Sequence, residues 1–395
     1  MPVAGNVAIV GSAATVFGVH HELGYLDLLE DASRRAIEDA GLQNQDVEAA
    51  WLSTAVTDVV ALEGESGSPI TERLDFAPRP VTRVSAYCAS GMEAVRNAAI
   101  SIAAGEYEVV LAVGAEKMRD VTPRGSLVAR TGNMTHPTLT KGRTGPGFFA
   151  LLASRYLDTF NRTTDDLSAV AVKNHEHATR NPIAQYNEPV TAEQVRSSAM
   201  IADPLRVLDC TPTTDGAAAV VLASVEWAKK SGRPYAVLSG VGFSVMDGYY
   251  SGLYNPENDF LGFRATREAS KVAYAQAGIH TPREQLDLVE CHDCFTITEI
   301  LNYEDLGLCG RGEGWKLLLD GATTIGGDIP VNLSGGLQSC GHPIGATGVR
   351  VVKEVADQMI GRAGGRQVAG AKHGVAHTLG GPGILSCVMV ISAAE

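Results

Sequence analysis

Two short turns in the sequence carry side chains that suit nucleophilic chemistry. Cys88 lies between a strand-like run and a helical pattern, and His342 lies in a glycine-rich loop with the same setting. Unpaired N–H groups at a helix start stabilise a thiolate or an oxyanion, and a neutral imidazole can accept a thiol proton. We therefore predict Cys88 as a nucleophile and His342 as its base. Taken alone, Cys88 fits an ordinary buried cysteine equally well.

A third candidate segment follows a predicted strand and contains a lone Cys-x-x-Cys pair, Cys291 and Cys294. Such a pair invites a zinc or thiol–disulfide interpretation. No second ligand pair stands nearby at a suitable spacing, and strand alternation would place the two thiols on opposite faces. We therefore expect no metal site here. We predict instead that His292 and Cys294 face a cleft, as a donor and a proton-transfer group.

A fourth candidate is the segment 376–383, which contains Leu379 and Gly380. Its glycines offer backbone N–H groups next to a strand, as an oxyanion hole requires. A tight turn between two strands explains the same pattern equally well.

Faint internal repetition connects the first two turns. When Cys88 is aligned with His342, Gly91 falls on Gly345. Residues 31–41 and 268–278 also coincide at five of eleven positions. Chance similarity between helices rich in alanine and glycine is the alternative. Two halves related by pseudo-symmetry would bring Cys88 and His342 to one place.

The elements that must position these residues alternate between strands and helices. Predicted strands cover 6–11, 48–56, 80–85, 109–113, 217–223, 286–290, 329–333 and 383–391. Predicted helices cover 25–40, 92–104, 148–160, 165–178 and 349–360. The alternation indicates a layered α/β fold, and the continuous apolar run at 109–113 is typical of a strand covered on both faces.

We predict three structural units. An N-terminal half comprises 1–117 and 207–233, an inserted loop domain comprises 118–206, and a C-terminal half comprises 234–395. Some cations of the loop domain could meet a phosphate, although exposed solubilising charge is the simpler role for each: Arg130, Lys141 and Arg143. Three histidines without a shared metal-ligand spacing are interpreted as loop residues: His136, His175 and His177.

Bulk composition limits the class of protein. The 395 residues suffice for two or three domains, and 45% hydrophobic content is that of a globular protein. A net charge of −13 argues against nucleic acid or an anionic membrane surface as a general partner. No apolar run is long enough to span a membrane, and the N-terminus lacks signal-peptide features. Seven scattered cysteines fit reduced thiols, so we expect a cytoplasmic protein.

Taken in order, the motifs resemble the thiolase superfamily, in particular its sterol-carrier-protein-type and archaeal acetoacetyl-CoA thiolase branch. They are Cys-Ala-Ser-Gly-Met-Glu-Ala-Val from Cys88, His-Asp-Cys-Phe-Thr-Ile-Thr-Glu from His292, Tyr-Glu-Asp-Leu-Gly from Tyr303, and the segment 332–348. The similarity covers nearly the whole chain. The combination of motifs is specific, whereas any one of them alone is not.

The resemblance implies two layered αβαβα halves, a loop domain over coenzyme A, and a homodimer or homotetramer. Cys88 would carry the acyl group, His342 would activate it, and Cys294 would be the acid and base at the substrate α-carbon. His292 and His342 would form one oxyanion hole. Backbone N–H groups of Cys88 and of Leu379–Gly380 would form the other. A coenzyme A thioester is then the substrate, with no covalently bound cofactor and no metal.

Some positions depart from the family pattern. His377 replaces a cysteine that many thiolases have near the C-terminus, which leaves Cys294 to act alone. Leu379 stands where glycine is common, and the segment 338–340 lacks the basic residue frequent in this branch. These departures concern one oxyanion hole and the placing of the acyl or CoA group.

We expect an acyltransferase that makes or cleaves acetoacetyl-CoA or another 3-oxoacyl-CoA through acyl-Cys88. One alternative is a thiolase-like retro-aldol lyase or acyltransferase subunit that acts with a small zinc-ribbon/OB-fold partner. Another is a non-catalytic subunit that binds CoA and organises a complex.

Overall fold

Helices and strands alternate along the chain, as the sequence predicts. The computed structural model describes residues 1–57, 66–121, 144–246 and 258–394. The strands are β1 (Val7–Ala14), β2 (Ala49–Ser53), β3 (Val81–Val84), β4 (Val109–Glu116), β5 (Met200–Ala202), β6 (Leu205–Arg206), β7 (Gly216–Ser224), β8 (Ala236–Val245), β9 (Leu288–Glu290), β10 (His373–Gly380) and β11 (Leu385–Ala393).

The helices range in length from four to sixteen residues. They are α1 (Tyr25–Asp39), α2 (Ser68–Arg73), α3 (Ser90–Ala104), α4 (Gly145–Thr159), α5 (Thr164–Ala178), α6 (Ala192–Ser197), α7 (Val225–Ser231), α8 (Arg264–Ala277), α9 (Pro282–Gln285), α10 (Thr296–Asp305), α11 (Gly314–Leu319), α12 (Gly336–Cys340) and α13 (Ile344–Met359). In the described part of the chain, no helix is long and apolar enough to cross a membrane.

One nine-stranded sheet contains two copies of the same strand order. The order is β3-β2-β4-β7-β1-β8-β11-β10-β9, so β1 and β8 pair at the centre and each half continues outward in matching sequence. Val289 of β9 also forms a parallel bridge to Val331. This bridge occupies the position in the C-terminal half that the parallel pairing of β2 with β3 occupies in the N-terminal half. The predicted fold of two pseudo-symmetric α/β halves is therefore confirmed. The strand predicted at 329–333 is reduced to that single bridge.

The repeated segments become equivalent helices. Helix α1 is followed by Gly41 at φ 72°, and α8 ends at Gly278 at φ 69°. Glycine takes this left-handed conformation without a Cβ penalty, which explains why both repeats end on it. Helix α1 packs on β1 and β7, and α8 packs on β8 and β11. The similarity between the two segments therefore reflects the symmetry of the fold.

Strand alternation separates the two faces of the sheet. Val110 and Ala112 of β4 belong to the apolar cluster that contains α3 and α13. Leu111 and Val113 belong to the cluster that contains α1. Helices thus cover both faces, as the continuous apolar run in β4 predicts.

Helices α3 and α13 cross at a backbone-to-backbone contact. A Cβ added to Gly348 would lie 2.3 Å from the backbone nitrogen of Met92, and one added to Gly91 would lie 2.6 Å from that of Val349. The crossing lies near the N-terminus of each helix, so the turns that precede α3 and α13 meet. This contact positions Cys88 and His342 relative to each other.

The inserted segment forms α4, α5, α6 and the small β5–β6 sheet. Phe149 and Tyr156 of α4 and Leu167 of α5 pack into the same apolar cluster as β9 and α10. The domain boundaries at 118–206 and 234–395 stay a prediction. The three basic residues that could either meet a phosphate or serve as exposed solubilising charge lie outside the described residues: Arg130, Lys141 and Arg143.

We predict that Gly348→Ala lowers the free energy of unfolding by about 1–3 kcal/mol, because the added methyl overpacks the helix crossing. Denaturant unfolding measures this change. Gly18→Ala is the matched control, since a Cβ at Gly18 meets nothing within 4 Å. Equal stability of Gly348→Ala and the native chain would contradict the close crossing.

Candidate active site

Cys88 lies in a turn that local hydrogen bonds hold in place. The turn connects β3 to α3, and Tyr87 adopts a left-handed φ of 50°. Ser90 Oγ accepts from the Ala86 N–H at 2.8 Å and donates to the Tyr87 carbonyl at 2.5 Å. Cys88 therefore stands just before the first turn of α3, where unpaired helix N–H groups favour negative charge.

The hydrogen bonds around His342 fix its tautomer. His342 Nδ1 lies 2.6 Å from Thr347 Oγ1, and that hydroxyl donates to the Pro343 carbonyl at 3.0 Å. A hydroxyl has one proton to donate, so Thr347 accepts from the Nδ1–H of His342. In the neutral form of the ring, Nε2 then carries the lone pair that a base needs. The His342 backbone N–H donates to Thr214 Oγ1 at 3.0 Å, which holds the turn against the N-terminal half.

His292 follows the end of β9 and is a buried, neutral imidazole. Burial, followed by the positive charge of Arg350, lowers the pKa of His292 to about 3. Its Nδ1 has no hydrogen-bond partner among the described residues. Asn302 Nδ2 donates to the His292 carbonyl at 2.6 Å, so α10 holds the main chain at this position.

The structure brings Cys88, His292 and His342 together. The Cys88 Sγ and one ring nitrogen of each histidine lie within 4.8 Å of one another. The two rings meet edge to face, with centroids 5.2 Å apart and an interplanar angle of 84°. The meeting of Cys88 and His342 that the internal repeat predicts is therefore observed. A thiol beside two imidazoles can lose its proton to one and place a reacting oxygen near the other.

Cys294 adjoins this group, and its environment strongly disfavours the thiolate form. Burial raises the pKa of the Cys294 thiol well above its usual range, and a negative charge on Cys88 raises it further. Thr298 Oγ1 lies 3.8 Å from the Cys294 sulfur. The thiol is therefore protonated at neutral pH and suited to donate a proton first.

Cys291 lies in the core beside the loop that leads to His342. Its backbone N–H donates to Asn332 Oδ1 at 2.8 Å, and its side chain is fully buried. Neither Cys291 nor Cys294 belongs to the group of possible metal ligands found among the described residues. None of the seven cysteines, all of which lie in the described part of the chain, forms a disulfide.

His377 lies behind His292, and both of its ring nitrogens have polar contacts within the protein. Its Nδ1 accepts from the His292 backbone N–H at 3.4 Å. Its Nε2 lies 3.2 Å from Thr266 Oγ1 and 3.1 Å from Ser386 Oγ. Burial, followed by His292, holds the pKa of His377 well below its usual range. His377 is therefore a neutral support for His292, and sequence reasoning did not assign it this position.

The Leu379–Gly380 backbone lies at the end of β10. Leu379 directs its side chain into the apolar core, and a Cβ on Gly380 would lie 2.9 Å from the Ala86 carbonyl oxygen. Gly380 thus borders the Cys88 turn, and the tight turn follows it at 381–384. Its part in an oxyanion hole stays a prediction.

Glu116 ties the two halves together beneath the site. Its carboxylate accepts from the Gly345 N–H at 2.8 Å, from the Ala55 N–H at 2.9 Å and from Thr54 Oγ1 at 2.7 Å. Gly345 opens the first turn of α13, so Glu116 anchors the helix that follows His342. The sequence signal that could have identified Glu116 is an acidic residue at the end of a continuous apolar run.

The interpretation of two histidines as loop residues was wrong. His175 and His177 lie on α5 and are buried. His177 Nδ1 lies 3.0 Å from the Asn332 carbonyl oxygen, so it supports the loop that leads to His342. The helical pattern outlined at 165–178 already contained both. His136 lies outside the described residues.

Comparison with protein families agrees with this geometry. A thiolase N-terminal domain model matches residues 7–226, and a thiolase C-terminal domain-like model matches residues 251–393. The chain belongs to the thiolase family. The resemblance noted from the motifs is thus confirmed.

Known thiolase relatives match along nearly all of this chain. An acetyl-CoA acetyltransferase of Methanothermobacter thermautotrophicus is 39% identical over 98% of this chain and 99% of its own length. Human sterol carrier protein 2 is 33% identical over 95% of this chain and 70% of its own length. A solved structure titled "Ltp2-ChsH2(DUF35) aldolase" matches with a TM-score of 0.82 and 27% identity, over 99% of both chains.

We predict that His377→Ala lowers kcat by about tenfold or more, because His292 loses the acceptor that positions it. KM should change less, since His377 is fully buried. His377→Asn should recover much of the rate, because its side-chain oxygen can replace Nδ1 as acceptor. Steady-state kinetics measures both constants.

His373→Ala, in the same strand, is the control for this comparison. Equal losses in the Ala and Asn variants, or a loss of stability with kcat unchanged, would refute the positioning role of His377.

Buried neutral histidines also predict how stability depends on pH. The pKa of His177 and that of His292 are lowered to about 3, and that of His377 lies well below the ordinary value of 6.5. The unfolded chain takes up protons below about pH 6.5 that the folded chain does not. This contribution to stability is present above about pH 6.5 and is lost as the pH falls toward about 3. For each such histidine, the free energy of unfolding decreases with falling pH by an amount approaching about 1.4 kcal/mol per pH unit.

Urea unfolding between about pH 6.5 and pH 5 tests this, because ordinary carboxylates stay largely ionised there. His177→Asn should make the slope shallower, whereas substitution of the exposed His280 should leave it unchanged. An identical slope in native protein and His177→Asn would exclude the effect.

Proposed function

We propose that this chain is a CoA-dependent thiolase that makes or cleaves acetoacetyl-CoA or another 3-oxoacyl-CoA through acyl-Cys88. The observation that carries this proposal is the meeting of the Cys88 thiol with the imidazoles of His292 and His342, where Cys88 and His342 each precede a helix. A ping-pong acyl transfer needs a nucleophile, a base with an available lone pair, and a donor for the oxyanion.

In the first half-reaction, His342 Nε2 takes the Cys88 proton and the thiolate attacks the carbonyl carbon of the substrate. An N–H of His292 or backbone N–H groups near Cys88 and Gly380 stabilise the oxyanion. Collapse of the tetrahedral intermediate leaves the acyl group on sulfur. The proton on His342 then goes to the leaving group or to solvent.

Cys294 acts at the substrate α-carbon. In the cleavage direction its protonated thiol gives a proton to the carbanion that leaves as acyl-CoA, and in the condensation direction its thiolate removes that proton. The raised pKa of Cys294 matches the resting state for cleavage and makes its thiolate a stronger base for condensation.

Similarity to the archaeal acetyl-CoA acetyltransferase supports an acetyl group as the transferred unit, since the match extends along both chains. We expect the coenzyme to be a bound substrate and not a covalent cofactor. The loop domain should cover it, with Arg143 as one candidate for its phosphates. A homodimer or homotetramer in the cytoplasm completes this proposal.

A second candidate is carbon–carbon cleavage by a retro-aldol route in complex with a small zinc-ribbon/OB-fold protein. The structural similarity to the Ltp2-ChsH2(DUF35) aldolase favours it. Cys88 argues for the thiolase, because aldol cleavage needs no acyl-cysteine. A non-catalytic CoA-binding scaffold likewise has no use for a thiol beside a base.

We predict that acetyl-CoA adds one acetyl group to the chain and that Cys88→Ala abolishes this adduct. Intact-mass spectrometry after brief exposure measures it. Cys294→Ala should still acquire the acetyl group, but its condensation rate should fall about a hundredfold or more, because the general base is lost.

Cys309→Ala is the control, since Cys309 is a partly buried thiol that packs against the apolar cluster and does not belong to the group formed by Cys88, His292 and His342. An adduct that persists in Cys88→Ala would reject Cys88 as the nucleophile. No adduct with acetyl-CoA or with longer acyl-CoAs would reject the thiolase mechanism and favour the lyase or scaffold.

A further inference from the structure

Three donor atoms in the site are of the kind that transition metals select. The sulfur of Cys88 and a ring nitrogen each of His292 and His342 lie within 4.8 Å of one another. Ligands about a tetrahedral zinc ion lie closer together than this, at metal distances of about 2.0–2.3 Å, so a modest side-chain movement closes the set. Among the described residues, this is the group in which three or more possible metal-ligand atoms lie this close together.

The histidines are prepared to bind a metal. A ligand imidazole must be neutral, and burial keeps His292 in that form. The Nδ1 of His292 is buried without a hydrogen-bond partner in the described part of the chain. Thr347 accepts from the Nδ1–H of His342, the outer contact that orients metal-bound histidines in many sites.

The surroundings admit a small cation from one side. Cys88 is only partly buried, whereas both histidines are buried. Arg350 is the positive group that acts on His292, and its charge is paired with Glu290 at 3.0 Å. Three protein ligands leave a fourth position on the open side for water. Catalytic zinc sites have this arrangement, whereas structural zinc sites have four protein ligands.

We propose that Cys88, His292 and His342 also form a reversible inhibitory site for a zinc-class divalent ion. Sulfur and imidazole donors favour Zn²⁺ over Mg²⁺ or Ca²⁺. Binding forms a metal–sulfur bond and two metal–nitrogen bonds, which replace bonds from the ion to water ligands that leave, and the Cys88 thiol releases its proton to solvent. No electron transfer is involved. The inhibition rests on the proposed function, because the ion occupies the sulfur that would attack the acyl-CoA.

Metal binding can be measured independently of catalysis. The full chain is dialysed against Zn²⁺ in chelator-free buffer, and the bound metal is determined. We expect one tightly bound ion per chain, no comparable binding of Mg²⁺, and protection of Cys88 from alkylation, read by peptide mass spectrometry. Co²⁺ in place of Zn²⁺ should give the charge-transfer absorption of a thiolate ligand.

Substitutions locate the ion. Cys88→Ser and His292→Asn should each weaken Zn²⁺ binding by about tenfold or more, and Thr347→Val should weaken it by a similar factor through His342. Cys309→Ser is the matched thiol control and should bind as the native chain does. Binding that survives Cys88→Ser, absence of stoichiometric zinc, or bound zinc that leaves Cys88 open to alkylation would each overturn the inference.

The acetyl-adduct measurement on the same preparations separates the two proposals. An acetyl adduct with no zinc binding would reject the metal site and retain the thiolase mechanism. Zinc at Cys88 with no adduct from any acyl-CoA would retain the metal site and reject the mechanism. In a functional enzyme, added Zn²⁺ should suppress the adduct and a chelator should restore it.

Discussion

The backbone contact between α3 and α13 is the constraint on which the site depends. Gly91 and Gly348 let two helices from different halves approach until main-chain atoms meet. Side chains at these positions would separate the helix starts, and the two turns would no longer share a cleft. The contact is made of backbone, so it offers few ways to shift. Catalytic distances in this protein are therefore set by the packing of the core.

Burial supplies the electrostatics of the site. His292 and His377 are neutral because the interior disfavours the imidazolium, and the same burial keeps the Cys294 thiol protonated. Charges do occur nearby, but they are paired: Arg350 with Glu290 at 3.0 Å and Lys173 with Glu299 at 2.7 Å. When the groups of a site are uncharged and the neighbouring charges are paired, hydrogen-bond donors in the site can strongly stabilise the charge that develops in a transition state.

Much of this arrangement could be predicted from the sequence. Apolar runs and glycine stops located most helices and strands, and the faint repeat located the meeting of Cys88 and His342. These features depend on local periodicity and on symmetry, which a sequence displays directly. The short helix α12 and the lone bridge at Val331 were not predicted, because tertiary packing overrides the strand pattern there. The support of His292 by His377 is a contact between distant strands, and no spacing along the chain announces it.

The pseudo-symmetry has a consequence for how such a site can arise. A symmetric pair of identical chains places the same side chain at both central turns, so it offers two thiols or two imidazoles but not one of each. Joining the two copies in one polypeptide removes that restriction, and here equivalent turns hold Cys88 and His342. The division of labour that we propose between Cys88 and His342 thus needs both halves, since each half contributes one of the two side chains.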